Sequence, residues 1–457
     1  MNQTNDKNPK SEANQITEGV IWKQLMLFFF PIVVGTFFQQ LYNTVDAIVV
    51  GQVAGTNALA SVGGSAGQII NLVVGFFTGL TAGATVMISQ FFGAKKEDMV
   101  NRSLHCAYAF AIFGGAVISV IGIILTPSFL GWMKTSPDVI ADSTVYLRIY
   151  FSGIIFVFIY NMGSSILRST GDSKRPLYYL IICCFINIFL DILLVVVFRL
   201  AVAGVAIATW ISQAVSAILV TRCLMRSENG LKLTLSKIRI APDILKGQLK
   251  IGLPGGFQSC MYNISNVLIQ ACINSFGTAT VAAATAYTKM DSIYWMISGA
   301  FGISITTFVG QNYGAKKQDR VRKSVQICFA MNCLIALLIS ALMLAFCVPL
   351  LRIFTSDAEV IDIGQRMVHV VSPFYITFVT IEILSGALRG MGNVVIPTIL
   401  TMSGVCIFRI IWIIVAVPHY TDFSGVYISY PISWILTSIL FLFYYTYSIH
   451  HMKKRGH

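Results

Sequence analysis

Long apolar stretches, separated by short polar connections, fill almost the whole chain and limit what it can fold into. Hydrophobic residues make up 56% of the 457 positions and charged residues only 11%, whereas soluble domains carry about 25% charged residues. So few charges cannot cover the surface of a soluble protein of this size. These proportions exclude a cytosolic enzyme, a nucleic-acid-binding protein and a disordered chain, and they favour a polytopic membrane protein.

The apolar stretches are long enough to cross a bilayer, since a helix needs roughly 20 apolar residues to span it. They alternate too poorly to form barrel strands, so we predict an all-α fold. Twelve transmembrane helices are predicted, over residues 21–50, 57–90, 99–126, 138–168, 175–198, 201–224, 247–275, 278–311, 322–348, 358–390, 394–418 and 424–449. The polar residues 1–20 predict no cleavable signal peptide, and ten cysteines in mostly apolar surroundings predict core residues, not disulfides.

Lysine and arginine are distributed unevenly between the two sides of the predicted helices. Of the 32 such residues, 25 lie in the tails and connections on one side, and only Lys134, Arg199 and Arg352 lie in the connections on the other. This is a strong positive-inside signal, so we expect both termini in the cytoplasm. The net charge of +13 is then explained by topology, with some attraction to anionic membrane lipid, and predicts no nucleic-acid partner.

The two halves of the chain repeat one another at a constant offset of 221 residues. The sequence QFFGAKK at 90–96 recurs as QNYGAKK at 311–317, and matching Leu-Arg, Gly and Pro positions recur between 167–176 and 388–397. Six predicted helices in each half give both halves the same orientation, which predicts two six-helix bundles related by a pseudo-twofold axis along the membrane normal. This arrangement is typical of transporters. The predicted division is a tail at 1–20, an N-lobe at 21–224, a linker at 225–246, a C-lobe at 247–449 and a tail at 450–457.

A polar stripe on the first predicted helix is the first candidate for function. Gln39, Tyr42, Asn43 and Asp46 fall on one face of an otherwise apolar helix, because they are spaced three or four residues apart. A charged residue at the centre of the bilayer costs about 2.5–3.5 kcal/mol by insertion scales and is usually functional. We therefore expect this face to line a substrate cavity or to meet a neighbouring helix.

Asn187 and Asp191 lie one turn apart on the fifth predicted helix, and Thr209 lies near the start of the sixth. The predicted topology places them at the same depth as Asp46, in the outer half of the membrane. Two carboxylates, an amide and a hydroxyl supply hard oxygen ligands for a small cation, and neighbouring carboxylates also favour holding a proton. These four residues therefore predict a site for Na⁺ or H⁺.

The second half of the chain lacks this set of residues. At the constant offset, Phe408, Trp412 and Tyr430 stand at the positions of the amide, the second carboxylate and the hydroxyl. The cation site is therefore predicted in the first half only. A structural alternative stays open, in which both acids hydrogen-bond to neighbouring helices without titrating and Thr209 bonds a carbonyl of its own helix.

Four further charged residues lie within predicted helices of the second half: Lys289, Asp291, Glu382 and Arg409. Lys289 and Asp291 are two positions apart and cannot pair with each other on a helix. We therefore expect ion pairs between helices, either Lys289 with Glu382 or Asp291 with Arg409. A purely structural network, a second proton relay and part of the substrate surface all stay open as roles.

These motifs resemble the multidrug and toxic compound extrusion (MATE) family over essentially the whole chain. The acidic pair on the first and fifth helices is similar to the DinF-type branch. The glutamate of the NorM-type branch has no counterpart in residues 257–263 of the seventh helix. The resemblance rests on Pro31, the segment 42–46, the two Gly-Ala-Lys-Lys loops, Leu167-Arg168 with Gly171-Asp172 and Pro176, the segment 187–191, and the segment 204–209. We interpret the Gly-Ala-Lys-Lys loops as tight cytoplasmic turns that anchor the orientation.

The resemblance implies the MATE/MOP flippase fold and the export of amphipathic, often cationic, small molecules in exchange for H⁺ or Na⁺. It implies that Asp46, Asn187, Asp191 and Thr209 couple the ion, with Asn161 in their polar network, and that the first helix bends at Pro31. It also implies a monomer in a bacterial cell membrane, with no cofactor and no metal beyond Na⁺. The sequence contains no Walker motif, zinc spacing or nucleophile elbow, so we expect neither ATP hydrolysis nor an enzyme.

One alternative within the same superfamily is a flippase for lipids or lipid-linked oligosaccharides. Such a protein handles anionic headgroups and would be expected to line its cavity with several arginines. Here the predicted first-half site is acidic, and the deep basic residues are Lys289 and Arg409. The pattern therefore favours a cationic substrate.

Overall fold

The computed structural model describes residues 16–227, 230–420 and 422–454, and within these ranges the chain forms helices and no strand. We number its twelve long helices, internal breaks included, as α1 Ile21–Ala54, α2 Thr56–Gly93, α3 Glu97–Trp132, α4 Pro137–Ser169, α5 Lys174–Val197, α6 Ala201–Met225, α7 Pro242–Asn274, α8 Thr278–Gly314, α9 Gln318–Ala345, α10 Ala358–Gly390, α11 Val395–His419 and α12 Ser424–His450. Among the described residues, ten helices are individually long and apolar enough to cross a membrane, and the bent α4 makes eleven. The twelfth, α7, has 33 residues but a more polar composition.

The all-α prediction is confirmed, and each predicted helix has a counterpart. The ends differ by a few residues, with the largest extension at α3, which continues through Pro127 to Trp132 instead of ending at residue 126. The predictions followed the apolar runs, whereas a helix continues into the polar interface wherever its own backbone hydrogen bonds can still form.

Several helices contain irregular turns that the hydropathy pattern does not predict. The two segments of α4, Pro137–Ser152 and Ile154–Ser169, meet at 49°. Turns of π-helix occupy Val50–Ala54 in α1 and Ile192–Val197 in α5, and these two turns contact each other. Such turns are frequent at functional sites, and here the second begins directly after Asp191.

The buried apolar residues form two clusters, one for each half of the chain, but the first half of α1 belongs to the cluster of the second half. Phe28 packs edge-on against Phe308 of α8 at 5.9 Å, and Phe29 stacks on Phe301 at 4.1 Å. Beyond Pro31, α1 turns its contacts to α5, where a Cβ on Gly35 would lie 3.5 Å from Leu180. The helix thus connects both clusters.

In the same way, the N-terminal half of α7 packs on α2, which belongs to the first half of the chain. A Cβ on Gly79 would overlap the backbone of Gly255 and Gly256, and Phe76 meets Phe257 at 5.8 Å. Small residues are what allow membrane helices to approach so closely. The first helix of each predicted lobe therefore packs partly in the other lobe, while the lobe boundaries themselves stay a prediction.

Candidate cation site

The structure brings Asp46 of α1 and Asp191 of α5 together, although 145 residues separate them in the sequence. Asp191 and Asn187 are fully buried and Asp46 is 8% exposed. The Asp46 carboxylate lies close enough to the side chains of both Asp191 and Asn187 to interact with each. The packing of α1 against α5 beyond Pro31 brings the two acids together. Sequence analysis predicted that they lie at the same depth in the membrane.

The polar atoms of this cluster are buried without hydrogen-bond partners. They are Oδ1 of Asp46, both carboxylate oxygens of Asp191, both amide atoms of Asn187 and Oγ1 of Thr209. Buried polar atoms nearly always have a partner, and leaving one unpaired costs about 1–3 kcal/mol. Oxygen atoms of this kind suit Na⁺, and paired carboxylates suit a proton. Thr209 does not bond a carbonyl of its own helix, so that structural alternative does not hold in this conformation.

No basic residue neutralises the two acids within the described ranges. The ion pairs found there join Arg102 to Asp243, Arg175 to Asp172 and Arg366 to Asp362, each at 2.7–2.8 Å and on exposed or half-buried side chains. A buried charge without a partner is expensive. The acid pair is therefore suited to taking up a positive charge from outside the chain.

Two buried tyrosines lie near the acid pair. Tyr42 of α1 is buried near Asp46, and Tyr146 of α4 is buried near both acids. Sequence analysis selected Tyr42 but missed Tyr146. The available signal was a pair of tyrosines, Tyr146 and Tyr150, one turn apart in the outer half of a predicted helix.

Other predicted site residues contribute no atom to this buried, unpartnered set. Gln39 and Asn43 are exposed while Tyr42 and Asp46 are buried, so the polar stripe of α1 divides between two environments. Asn161 of α4 donates its amide to the carbonyl of Val157 in its own helix at 2.8 Å. Pro31 is buried within a stretch of α1 that stays α-helical on both sides.

The second half holds a separate buried cluster around Asp291 of α8. Its carboxylate accepts hydrogen bonds from the hydroxyl of Tyr375 and from the indole of Trp295. The hydroxyls of Tyr375 and Tyr287 lie 3.0 Å apart, and the ring of Tyr375 stacks on Tyr294 at 4.0 Å. Asp291 therefore has neutral donors, unlike the acids of the first half.

The expected ion pairs of the second half do not form, because neither pair comes within 4.0 Å in the described structure. Arg409 of α11 is buried; its Nε donates to Ser433 at 2.9 Å, and its guanidinium lies 4.2 Å from the ring centre of Tyr430. Aromatic contact thus stabilises this cation. Lys289 is exposed, and Glu382 packs against the backbone of Gly302.

Removing the hydroxyl in Tyr375→Phe should lower the free energy of unfolding by about 1–3 kcal/mol, because Asp291 loses a donor in a buried site. The loss should appear as a lower midpoint of thermal unfolding in detergent. Tyr178→Phe is the matched control, since Tyr178 is 56% exposed. Equal midpoints for the two variants would contradict a stabilising role for the Tyr375 bond.

Comparisons with known proteins agree with this architecture. Solved structures of similar fold include one described as the outward-facing conformation of a multidrug resistance MATE family transporter of the MOP superfamily, with a TM-score of 0.90, 21% identity and coverage of 97% of this chain and 99% of that one. Another is a MOP superfamily transporter from Pyrococcus furiosus described as having a binding pocket of reverse polarity, with a TM-score of 0.89, 20% identity and the same coverage. At these identities the matches show the fold alone.

Sequence relatives extend over nearly the whole chain. "Probable multidrug resistance protein YoeA" of Bacillus subtilis is 27% identical over 93% of this chain and 94% of its own length. "Probable multidrug resistance protein NorM" of Thermotoga maritima is 24% identical over 88% of this chain and 86% of its own. The family model MatE matches residues 31–193 and 254–415, which together make up more than half of the chain. The chain therefore belongs to the MatE family.

Proposed function

We propose that this protein exports amphipathic, often cationic, compounds in exchange for H⁺ or Na⁺ that binds between α1 and α5. The observation that carries the proposal is the buried pair Asp46 and Asp191. Oδ1 of Asp46 and both carboxylate oxygens of Asp191 lack partners, and no basic residue of the described ranges pairs with either acid. A proton or Na⁺ supplies the missing partner, with Asn187 and Thr209 as neutral ligands. The names of the relatives, which call them multidrug resistance proteins, support the substrate class.

The exchange requires a second conformation. The unpartnered oxygens of Asp191 and Thr209 have almost no contact with solvent in this structure, so an ion can enter or leave only when the helices around them separate. A bound ion shifts the balance between two conformations only by its difference in affinity for them. Loading the acid pair favours the conformation that buries it, and a cationic substrate competes for the same negative charge.

We assign the protein to the DinF-type branch because its membrane acids pair between α1 and α5 and residues 257–263 of α7 contain none. Asn161 and Pro31 belong to the proposal as a member of the polar network and as the bending point of α1. The protein acts as a monomer in a bacterial cell membrane, surrounded by lipid, and uses no cofactor and no catalytic step. Gln39, Tyr42 and Asn43 form part of the substrate surface.

Purified protein in liposomes tests the proposal by the movement of a fluorescent cationic dye, driven separately by a pH gradient and by a Na⁺ gradient. We expect one of the two gradients to drive transport, and Asp191→Asn to reduce its initial rate at least about tenfold. Asp362→Asn is the matched control, because Asp362 is exposed and paired with Arg366. Absence of transport with both gradients would contradict ion-coupled export. Movement of a labelled lipid-linked oligosaccharide in the same vesicles would then support the flippase alternative, for which Arg409 is a buried cation.

The proposed orientation puts the connection between α2 and α3 in the cytoplasm and the connection between α3 and α4 outside. In a variant without native cysteines, Glu97→Cys should react with a membrane-impermeant maleimide only after the cells are permeabilised. Asp138→Cys should react in intact cells. Both residues are exposed first-turn acids, so the two sites differ mainly in their side of the membrane, and reaction of both in intact cells would contradict the topology.

A further inference from the structure

Two glutamines near the Gly-Ala-Lys-Lys loops bond across the two halves of the molecule. Gln90, near the end of α2, donates its Nε2 to the carbonyl of Gly390, the last residue of α10, at 2.8 Å. Gln311, near the end of α8, donates its Nε2 to the carbonyl of Ser169, the last residue of α4, at 2.8 Å. Donors and acceptors are both related by the offset of 221 residues, so the two bonds form a pseudo-twofold pair.

The acceptors explain why these bonds stabilise the contact. The last carbonyls of a helix have no partner within that helix, and they need a donor wherever they are covered by protein. Gln311 is fully buried and Gln90 is half-buried, so water is largely excluded from the two bonds. Each half thus supplies a donor to a helix end of the other half. The carbonyl of Ser169 also accepts a bond from the hydroxyl of Ser89, in its own half, at 3.1 Å.

Two glycines that are related by the same offset, Gly93 and Gly314, form a backbone contact between the halves. A Cβ on Gly93 of α2 would overlap the carbonyl oxygen of Gln311, and a Cβ on Gly314 of α8 would overlap the carbonyl oxygen of Gln90. The ends of α2 and α8 therefore touch backbone to backbone, a distance that only glycine permits. This contact is independent of the side-chain bonds and lies at the same end of the molecule.

We propose that Gln90, Gly93, Gln311 and Gly314 form a gate, here called the glutamine clasp, which seals the gap between the two halves at the ends of α2 and α8. The repeated sequence Gln-x-x-Gly-Ala-Lys-Lys thus has a role beyond that of a turn. The clasp is closed in this structure, and it must open when the halves separate at this end. That this end faces the cytoplasm rests on the proposed orientation, whereas the clasp itself does not depend on which ion or substrate is carried.

The clasp is suited to a reversible gate because it is strong enough to favour one state without locking it. One hydrogen bond of this kind shifts an equilibrium by about two- to tenfold. Two bonds that form together therefore favour the closed end by roughly tenfold or somewhat more. Rigid-body movement of the halves breaks both at once, since each bond has one partner in each half.

Distance measurements between spin labels test the clasp directly. Asp98→Cys and Asp319→Cys place one label in each half, on exposed residues related by the same offset, in a variant without native cysteines and in liposomes without drug or ion gradient. The unmodified clasp should give one short distance. Gln90→Ala with Gln311→Ala should add a longer distance and shift the ratio of closed to open molecules by about tenfold.

Two further variants make the result decisive. Gln90→Glu with Gln311→Glu keeps the size of both side chains but removes the N–H donors, and it should open the same end; Gln90→Glu alone should shift the ratio in the same direction. Gln270→Ala is the control, because Gln270 bonds Asn274 within α7, and it should leave the distances unchanged. Unchanged distances in the Glu variants would overturn the proposal. The readout involves no transport, so a failure of the clasp and a failure of ion-coupled export are separate results.

Discussion

Replacing both Asp46 and Asp191 by asparagine should reduce ion-driven transport no further than replacing Asp191 alone. The two carboxylates are within interaction range and contribute to one set of buried oxygens without hydrogen-bond partners, so they act as a unit, and effects within a unit do not add. Each single variant should lose at least about tenfold in initial rate, equivalent to roughly 1.4 kcal/mol. The measurement is dye efflux from liposomes under the gradient that drives the unmodified protein.

A second double-mutant cycle, between Asp46 and Asp291, is the control for this result. Asp291 lies in the other buried cluster and has its own neutral donors, so any loss caused by Asp291→Asn should add to the loss caused by Asp46→Asn. Additive losses for Asp46 and Asp191 would show that the two acids bind ions separately, or bind none.

Placing a methyl group on Gly83 of α2 should destabilise the protein by about 1–3 kcal/mol, the usual cost of overpacking. A Cβ there would overlap the carbonyl oxygen of Gln248 in α7, and it would lie 2.8 Å from the carbonyl carbon of Gln248 and 2.9 Å from the nitrogen of Gly252. These are backbone atoms that cannot rotate away, so α2 and α7 must move apart. Thermal unfolding of Gly83→Ala in detergent should show a clearly lower midpoint.

Gly114→Ala is the matched control for this prediction. Gly114 also lies inside a membrane helix, but a Cβ there meets no atom within 4 Å. Alanine in a helix interior is favoured over glycine by roughly 0.5–1 kcal/mol, so this variant should unfold at the same or a higher temperature. If the two variants lose stability equally, the close approach of α2 and α7 is not the reason why alanine destabilises the protein at position 83.

The positions of the helices and the meeting of Asp46 with Asp191 were predictable because the membrane constrains the chain strongly. A spanning segment must be helical and apolar, the basic residues indicate its direction, and together these place side chains at a depth. Two acids at the same depth, each on the polar face of its helix, are then expected to meet inside the helix bundle. The same reasoning selected Asn187 and Thr209, whose polar side-chain atoms are also buried without partners.

The partners of the second-half charges were not predictable from depth alone. Charge balance suggested that Asp291 pairs with Arg409, but Asp291 bonds Tyr375 and Arg409 stacks on Tyr430. Tyrosine and tryptophan count as apolar in a hydropathy pattern, so their capacity to donate a hydrogen bond or to hold a cation is hidden there. Lys289 is exposed. Its exposure was not predictable, because a helix face cannot be assigned to cavity, lipid or protein without knowledge of the neighbouring helices.

The first half of α1 packs in the buried cluster of the second half of the chain, and this has a consequence for how the protein is made. During synthesis α1 leaves the ribosome before the helices of the second half, yet Phe28 and Phe29 pack on Phe308 and Phe301, which are synthesised more than 270 residues later. The first half of α1 therefore meets its final neighbours only after α8 has been synthesised. Separately expressed halves, each deprived of the other's leading helix, should assemble only when they are produced in the same cell.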